Sequence, residues 1–540
     1  MAFLVFISIV WVAVRVGVDP YHEGALFPSA VGVAQGLNIF SEVNNQYGFV
    51  YALVQSPLLL IIGNYLIITR IVGAIVVIAS AFICYLLVRK NWEPKIAFFV
   101  TLVCLALNPA WSYLSQKSLY GYGAWINQYG VLLLMGSTYL FLEEIEREEP
   151  RNYIFFVAGG LSLFSTFVRL EFSLVWVLQS SFLFLQFRRN KLPKYILGLW
   201  LIGGFSVGVA SLAYLVTIGS LSDFFKQLVL VWFSAPPNSA HLGLGNLFTF
   251  GVSCVLFILF FYVIYLLSTF RIRWIWIIIF SSSSIFLLAN SLKSINHFSF
   301  KGKMIGPYLQ TAIDGFLLNY SSVLVLLISV KTLLNLRSNN SNLFPVGFLQ
   351  ITCIGLLVQL HNVNAAYIYM FNPILIAWFM YWIYDYKDKY PKLILGLRNS
   401  AIVLVASSLF ISFPLVFKTS YSFNSPALKG MSDYSLDHRN EIDSKFEILK
   451  RYVDVGQLYF DCPLGLFSVS EKGLYAADKW TWNEIPREWL QTSVGGASKG
   501  QFLLRCMGGQ TGAIGYDELI KSGEIRLVSN VKDFILYQFE

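Results

Sequence analysis

Near the amino terminus an apolar run ends in Asp19-Pro20-Tyr21-His22-Glu23-Gly24. Pro20 stops a helix from running on, because it lacks an amide hydrogen and its ring clashes with the preceding turn. Asp19 is thereby left at the end of a hydrophobic segment, with Glu23 four residues later. If the stretch makes a helical turn, the two carboxylates share a face. Two such acids can act as general base and stabiliser towards a hydroxyl, or hold a cation together with His22. The other reading, which the residues alone favour, is that Asp19 caps the next short helix and Glu23 is solvated.

Basic groups that could meet an anion are few and specifically placed. Arg70 lies inside an apolar run, close to one end of it; it either snorkels to the interface or binds a carboxylate or phosphate. Arg169-Leu170-Glu171 separates two short apolar runs, where a charged pair is costly unless paired or ligated. A structural ion pair and a substrate contact are equally good readings of it. The stretch Asn296 to Lys303 puts Lys301 and Lys303 around Gly302, suited to a phosphate or to anionic head groups. His361-Asn362-Val363-Asn364 is a tight polar turn that could contact sugar hydroxyls or phosphate, although a plain hairpin turn is the simpler reading. Tyr113, Tyr120, Tyr122 and Trp125 could stack on a sugar, but an interfacial aromatic belt uses the same residues.

The elements that must position these groups are membrane helices. Of 540 residues, 56% are hydrophobic and only 13% charged, about half the charged fraction of an ordinary soluble domain, near 25%. That excludes a cytosolic enzyme and a disordered chain. Thirteen spans are expected, over residues 3–18, 65–89, 95–113, 130–146, 153–168, 172–187, 195–217, 246–270, 274–293, 317–336, 344–360, 365–384 and 398–417. The first is read as a retained helix, with no basic leader region and no small-residue cleavage site. Spans five and six could also be one long helix carrying a buried charged pair. Lys and Arg are concentrated in alternate loops (Arg89, Lys90, Lys95; Arg147, Arg151; Arg188 to Lys194; Arg271, Arg273; Lys331, Arg337; Lys387 to Arg398). The positive-inside rule makes those loops cytoplasmic. The amino terminus is then cytoplasmic, and the loop 18–64, all five histidines and the carboxy-terminal segment lie outside the cytoplasm of a multi-pass plasma or inner membrane protein.

Residues 418–540 hold 14 Lys+Arg and 16 Asp+Glu, leaving a net charge of +11 on residues 1–417 out of +9 overall. The chain is thus expected to divide into a basic transmembrane domain, 1–417, and a small extracytoplasmic α/β domain, 418–540. In the latter, 443–452 reads as an amphipathic helix, with strands at 457–460, 465–469, 525–528 and 534–537. Cys462 and Cys506 are its two cysteines, and an oxidising compartment would let them pair. The excess of positive charge belongs to membrane loops, so it does not argue for nucleic acid. No phosphate-binding glycine loop is present: Gly508-Gly509-Gln510-Thr511-Gly512 lacks the spacing and the lysine.

A helix ending in an acid, a long outer loop with interfacial helices (25–38 among them), Tyr47-Gly48-Phe49-Val50-Tyr51, and Gly63 seven residues before Arg70 together resemble the GT-C superfamily of membrane glycosyltransferases. That superfamily includes the protein O-mannosyltransferase, lipid A aminoarabinose transferase and oligosaccharyltransferase types. The motif-level likeness covers about residues 10–90; beyond that it is a likeness of span count and of an outer carboxy-terminal domain. Phe49 stands where the family usually has Pro. The resemblance implies a hexosyl or pentosyl transferase working with inversion on a polyprenyl phosphate sugar donor and a lipid, glycan or protein acceptor. In this picture Asp19, or Glu23, is the base, and Arg70, Arg169, Glu171, Lys301, Lys303, His361 and Asn364 contact donor phosphate or sugar. No cofactor is required; a divalent metal, if used, would sit on Asp19, His22 and Glu23. A transporter or flippase for an envelope glycolipid is the rival reading, weakened by the absence of a recognisable repeat and by polar groups gathered towards one face.

Overall fold

Inside a bilayer the only partners for backbone amides and carbonyls are other peptide groups, so long apolar runs must become helices. The computed structural model describes residues 10–20, 23–43, 45, 47–102, 104–105, 126–189, 192–230, 344–359, 372–384, 391, 416–461, 465–475, 498–506, 516–532 and 534–540. The expected spans at 246–270, 274–293 and 317–336 lie outside them, as do nearly all of 398–417, the aromatic loop 113–125 and Cys462. Among the described helices are α1 (Phe27–Ala34), α2 (Val50–Ile62), α3 (Leu66–Arg89), α4 (Ile126–Ile145), α5 (Asn152–Phe164), α6 (Ser173–Arg188), α7 (Lys194–Thr217), α8 (Phe344–Gln359), α9 (Asn372–Tyr384), α10 (Leu436–Tyr452) and α11 (Tyr516–Ser522). Leu66–Arg89, Leu170–Arg188 and Lys194–Thr217 are long and apolar enough to cross a membrane. Exposed apolar stripes run along two of them, Ile71, Ile75, Ile78 and Phe82 on α3 and Ile202, Phe205, Val209, Leu212 and Val216 on α7. Their spacing of three and four residues is one helix face, and lipid is the solvent that suits it.

The chain forms two units, one of residues 1–13, 74–209 and 236–417, the other of residues 14–73, 210–235 and 418–540. In the first, α5 and α6 are separate helices and not one kinked span. Ser162 Oγ donates to Gln179 Oε1 at 2.5 Å, across a chain reversal centred near Arg169. Gln179 Nε2 donates in turn to Thr352 Oγ1 on α8 at 2.8 Å. Helices α5 and α7 meet backbone to backbone: a Cβ added to Gly159 would overlap the Trp200 carbonyl, and one added to Gly203 would overlap that of Phe156. Small residues allow this approach where no hydrophobic effect drives helices together. Phe141 is enclosed by Phe155, Trp200, Phe344 and Phe348, with ring centroids 5.5, 5.3, 6.1 and 4.7 Å away.

Two loops with expected cytoplasmic positions and the last turns of α9 come together at one end of this unit. Lys90 after α3 bonds Glu146 just after α4 at 2.9 Å and Glu143 in its last turn at 3.1 Å. Trp92 donates to the Met380 carbonyl near the end of α9 at 3.0 Å. Buried Glu144 accepts from Arg151 at 3.0 Å, closing the α4–α5 connection.

In the second unit, the stretch 25–38, expected to lie along the membrane surface, holds α1, in which Phe27 through Gly32 are all buried. The apolar surface element is instead α2, which exposes Leu60, Ile61 and Ile62. Residues 418–540 form a mixed sheet of β3 (Leu458–Asp461), β4 (Phe502–Cys506), β6 (Phe534–Phe539) and β5 (Ile525–Val531), in that spatial order, with β3 parallel to β4 and the rest antiparallel. A two-residue ladder pairs β1 (Tyr421–Ser422) with β2 (Ser432–Asp433). Helix α10 starts seven residues before the expected position because Ser435 caps it, its hydroxyl accepting from the His438 amide at 3.2 Å. Its first turns are polar, so the apolar periodicity begins late. Residues 465–469 are a correction: Gly465–Ser468 is a 3₁₀ turn with all four residues buried, and burial on every side is not the two-residue alternation of a strand. Cys506 is disulfide-bonded.

His438 Nδ1 and Asp433 Oδ2 lie 2.9 Å apart. The hydrogen bond to Asp433 raises the imidazole pKa against the opposing effect of burial, with Glu441 adding to the rise and Lys445 reducing it. Because the folded value exceeds the unfolded one, this contact stabilises fully below the unfolded value of about 6.5 and fades as pH rises through the folded value. The melting temperature of the wild type should therefore fall over that window, and His438→Ala should flatten the fall. Glu441, depressed chiefly by its hydrogen bond from Lys532, acts in the opposite sense in the acid range, so the two effects separate in a pH series of thermal melts.

Candidate functional site at the first loop

Arg70 sits one turn into α3 and is wholly buried. A guanidinium keeps its charge in proteins, so it must be matched where it lies. Its Nε donates to Glu23 Oε1 at 2.5 Å, and Nη1 donates to the carbonyls of Val14 and Val16, both at 3.3 Å. Of the two readings of Arg70, the structure shows the carboxylate partner and not the snorkelling side chain.

Glu23 opens a 3₁₀ turn, Glu23–Ala25. Its second oxygen, Oε2, accepts from the Asp19 amide at 2.9 Å, while the Glu23 amide donates to the Asp19 carbonyl at 3.0 Å. The Glu23 side chain thus reaches back to the amide of the residue whose carbonyl its own amide meets, closing the turn with one side-chain and one backbone bond. Both Glu23 oxygens are thus engaged, by a buried cation and by the backbone of Asp19. Asp19 itself is only partly buried. The turn brings the two acids together, and it gives them different surroundings.

The neighbouring backbone is anchored on both sides. Before Asp19, the Gly17 amide donates to the Ser432 carbonyl at 2.9 Å, Val16 bridges Ser432, and Arg15 Nε donates to the Gly430 carbonyl at 3.1 Å. After it, the Leu466 amide donates to the Pro20 carbonyl at 3.2 Å. Gly24 lies flat against Gly465 and Leu466: an added Cβ would stand 2.7 Å from the Gly465 nitrogen and would overlap the Leu466 nitrogen. Further along, Gln35 Nε2 donates to the Lys472 carbonyl at 2.9 Å and Asn64 Nδ2 to that of Glu471 at 3.2 Å. Gln227 accepts from the Asn45 amide and donates to the Phe40 carbonyl, at 3.2 and 2.7 Å. Sequence reasoning did not find Gly24, Ser432 or Leu466. Only Gly24 carried a signal, a glycine directly after the acids; the other two act through backbone atoms.

Arg169 and Glu171 belong to the other unit. Arg169 is extended, at φ −149° and ψ 136°, between two single 3₁₀ turns. It pairs with Glu171 through two bonds, Nε to Oε2 at 3.2 Å and Nη2 to Oε1 at 2.5 Å, and donates from Nη1 to Asn127 at 3.1 Å. His22, Lys301, Lys303, His361 and Asn364 lie outside the described residues. Among the described residues no group of three or more His, Cys, Asp or Glu is placed to hold a metal ion.

No family model and no curated protein matches the chain. Solved structures similar to it include ArnT from Cupriavidus metallidurans bound to undecaprenyl phosphate, at 11% identity and a TM-score of 0.44 over 99% of this chain and 96% of that one. ArnT in the apo state gives 11% and 0.42 over the same shares. The apo Archaeoglobus fulgidus oligosaccharyltransferase gives 14% and 0.42, over 77% of this chain and 56% of that one.

The buried Glu23–Arg70 pair yields a direct test. Removing either partner strands a buried charge, a loss of about 3–5 kcal/mol in comparable pairs. Glu23→Gln and Arg70→Gln should each lower the unfolding temperature strongly. The double variant should lose clearly less than the two single losses added, as measured by a double-mutant cycle in detergent.

Proposed function

We propose that the chain is an integral membrane glycosyltransferase that moves a sugar from a polyprenyl phosphate donor to an acceptor hydroxyl on the extracytoplasmic face. The observation that carries this reading is the commitment of Glu23, whose two oxygens are taken by Arg70 and by the Asp19 amide. That makes Glu23 the acid that holds the turn. Asp19, the acid that the resemblance of the first loop puts in the role, is the base, and Glu23 with Arg70 fixes where that base stands.

The acceptor oxygen attacks the anomeric carbon, forming a new C–O bond as the bond from that carbon to the phosphate oxygen breaks. The acceptor proton passes to the Asp19 carboxylate, and polyprenyl phosphate leaves with the bonding electron pair. Attack from the side opposite the leaving group inverts the sugar carbon. Cationic donors near the departing phosphate favour the step, because negative charge grows there. Lys301 and Lys303 suit that role as point charges on the expected outer side. Arg169 suits it less well, since Glu171 already neutralises its charge. His361 and Asn364 are proposed to contact sugar hydroxyls. Asp19, His22 and Glu23 are the groups on which a divalent cation would be sought, and no step above depends on one.

An outer location for the tail is supported by its bonded Cys506, since stable disulfides belong to oxidising compartments. The convergence of Lys90, Trp92 and Arg151 at one end of the helices supports the opposite end as the outer one.

The test is transfer from radiolabelled polyprenyl phosphate hexoses and pentoses to acceptors in native membrane extracts. Asp19→Asn keeps the amide that bonds Glu23, so the turn should persist while kcat falls by about 10²- to 10⁴-fold, the usual worth of a positioned base. Wild-type activity in Asp19→Asn would overturn the assignment. Movement of the donor lipid across the bilayer with no covalent product would replace the transferase with a flippase.

A further inference from the structure

The first loop and residues 418–540 fall in one unit, and the contacts between them are not spread evenly. They bracket Asp19. Two residues before it, Gly17 is bonded to Ser432; one residue after it, the Pro20 carbonyl takes the Leu466 amide. Gly24 allows the Gly465–Ser468 turn to lie against the acidic turn with no side chain between them. Leu466 is the second residue of that 3₁₀ turn, so its amide has no partner within the turn and is available to Pro20. The turn's own shape is held locally, by Ser468 Oγ donating to the Gly465 carbonyl at 2.7 Å. This is a pre-formed ledge that grips backbone, and the residue it grips is next to the proposed base.

We infer that the Gly465–Ser468 turn is a positioning element for Asp19, with Gly24 and the Leu466 amide as its points of purchase. The carboxy-terminal domain thereby takes part in the transfer step, in addition to any part in binding the acceptor. The inference rests on Asp19 as the base. Displacing a reacting group by about 1 Å costs on the order of 10²-fold in rate, and a methyl group at Gly24 must move the two turns apart.

The experiment uses the full chain in nanodiscs and the same labelled polyprenyl phosphate sugars. Gly24→Ala should lower kcat by about 10²-fold with the donor KM little changed. Leu466→Pro removes the amide donor within the first helical turn, where proline's missing N–H breaks no bond of the turn itself. Leu466→Ala removes the side chain and keeps the amide. The proline variant should lose at least ten times more of kcat than the alanine variant, a ratio that side-chain burial cannot produce. Leu503→Ala, in the sheet core and away from the acidic turn, controls for general weakening of the domain and should keep its kcat per folded molecule. Hydrogen exchange supplies a readout independent of turnover: in Gly24→Ala the Asp19 amide should lose protection while the β4 and β6 amides keep theirs. Full kcat in Gly24→Ala and Leu466→Pro, with Asp19→Asn inactive, would overturn the positioning role and leave the base assignment standing. An active Asp19→Asn would remove that assignment, and with it the basis of this inference.

Discussion

A guanidinium that cannot lose its proton and cannot reach water dictates the path of whatever chain must pair with it. Arg70 is such a group, fully buried one turn into α3. Its partners are a carboxylate 47 residues earlier and the carbonyls of Val14 and Val16. To supply them, the end of the first helical segment and the acidic turn must both fold back onto the start of α3. Buried ion pairs contribute little net stability, because desolvation offsets most of their attraction. Their better-attested use is to exclude alternative arrangements, and here the arrangement selected is the one that sets Asp19 at a fixed point.

With Glu23 consumed in this way, its chemical role changes. A carboxylate whose two oxygens accept from an arginine and from a backbone amide is poorly placed to reach a substrate hydroxyl. The same bonds confer rigidity on its neighbour. Within the Asp-Pro-Tyr-His-Glu stretch, Glu23 is therefore the acid that holds the turn together. The carboxy-terminal contacts to Gly17, Pro20 and Gly24 act on the same short stretch from outside, through backbone atoms.

This division explains what could and could not be read from the residues. Helices α3 and α7 follow the expected 65–89 and 195–217 within a residue or so, because a bilayer translates run length directly into helix length. The break between α5 and α6 was visible as a charged pair interrupting apolar sequence, and the Ser162–Gln179 bond decides between two helices and one. Helix α2 was not anticipated, since Pro57 lies within it and its sequence was read as a continuation of the outer loop. The partner of Arg70 was not legible either. Its carboxylate lies far off in sequence, and its carbonyl partners carry no residue-type signal at all. The Gly465–Ser468 turn was misread for a related reason. Leu, Phe and Val within five residues look like a strand, but Gly465 and Ser468 between and beside them are buried as well, against the glycine face of the acidic turn.

For the lipid-linked donor proposed above, such rigidity would be useful. Its long chain is held by the membrane and its phosphate by cations, which leaves the anomeric carbon free to swing unless the attacking side is already fixed. Acceptor hydroxyls are weak nucleophiles, and a base that had to be ordered at the moment of reaction would add that ordering cost to the barrier. A base ordered in advance, by bonds paid for during folding, avoids it. The same reasoning separates the candidate phosphate contacts. Arg169 already gives two bonds to Glu171 and one to Asn127, so its charge is matched before any phosphate arrives. A lysine is a compact charge on a flexible four-carbon stem, the side-chain type that can follow a phosphate as charge builds on the leaving oxygen. A fixed base and an adaptable cation are the combination that the proposed chemistry favours, and the Arg70–Glu23 pair, by fixing the Asp19 backbone, would supply the first of the two.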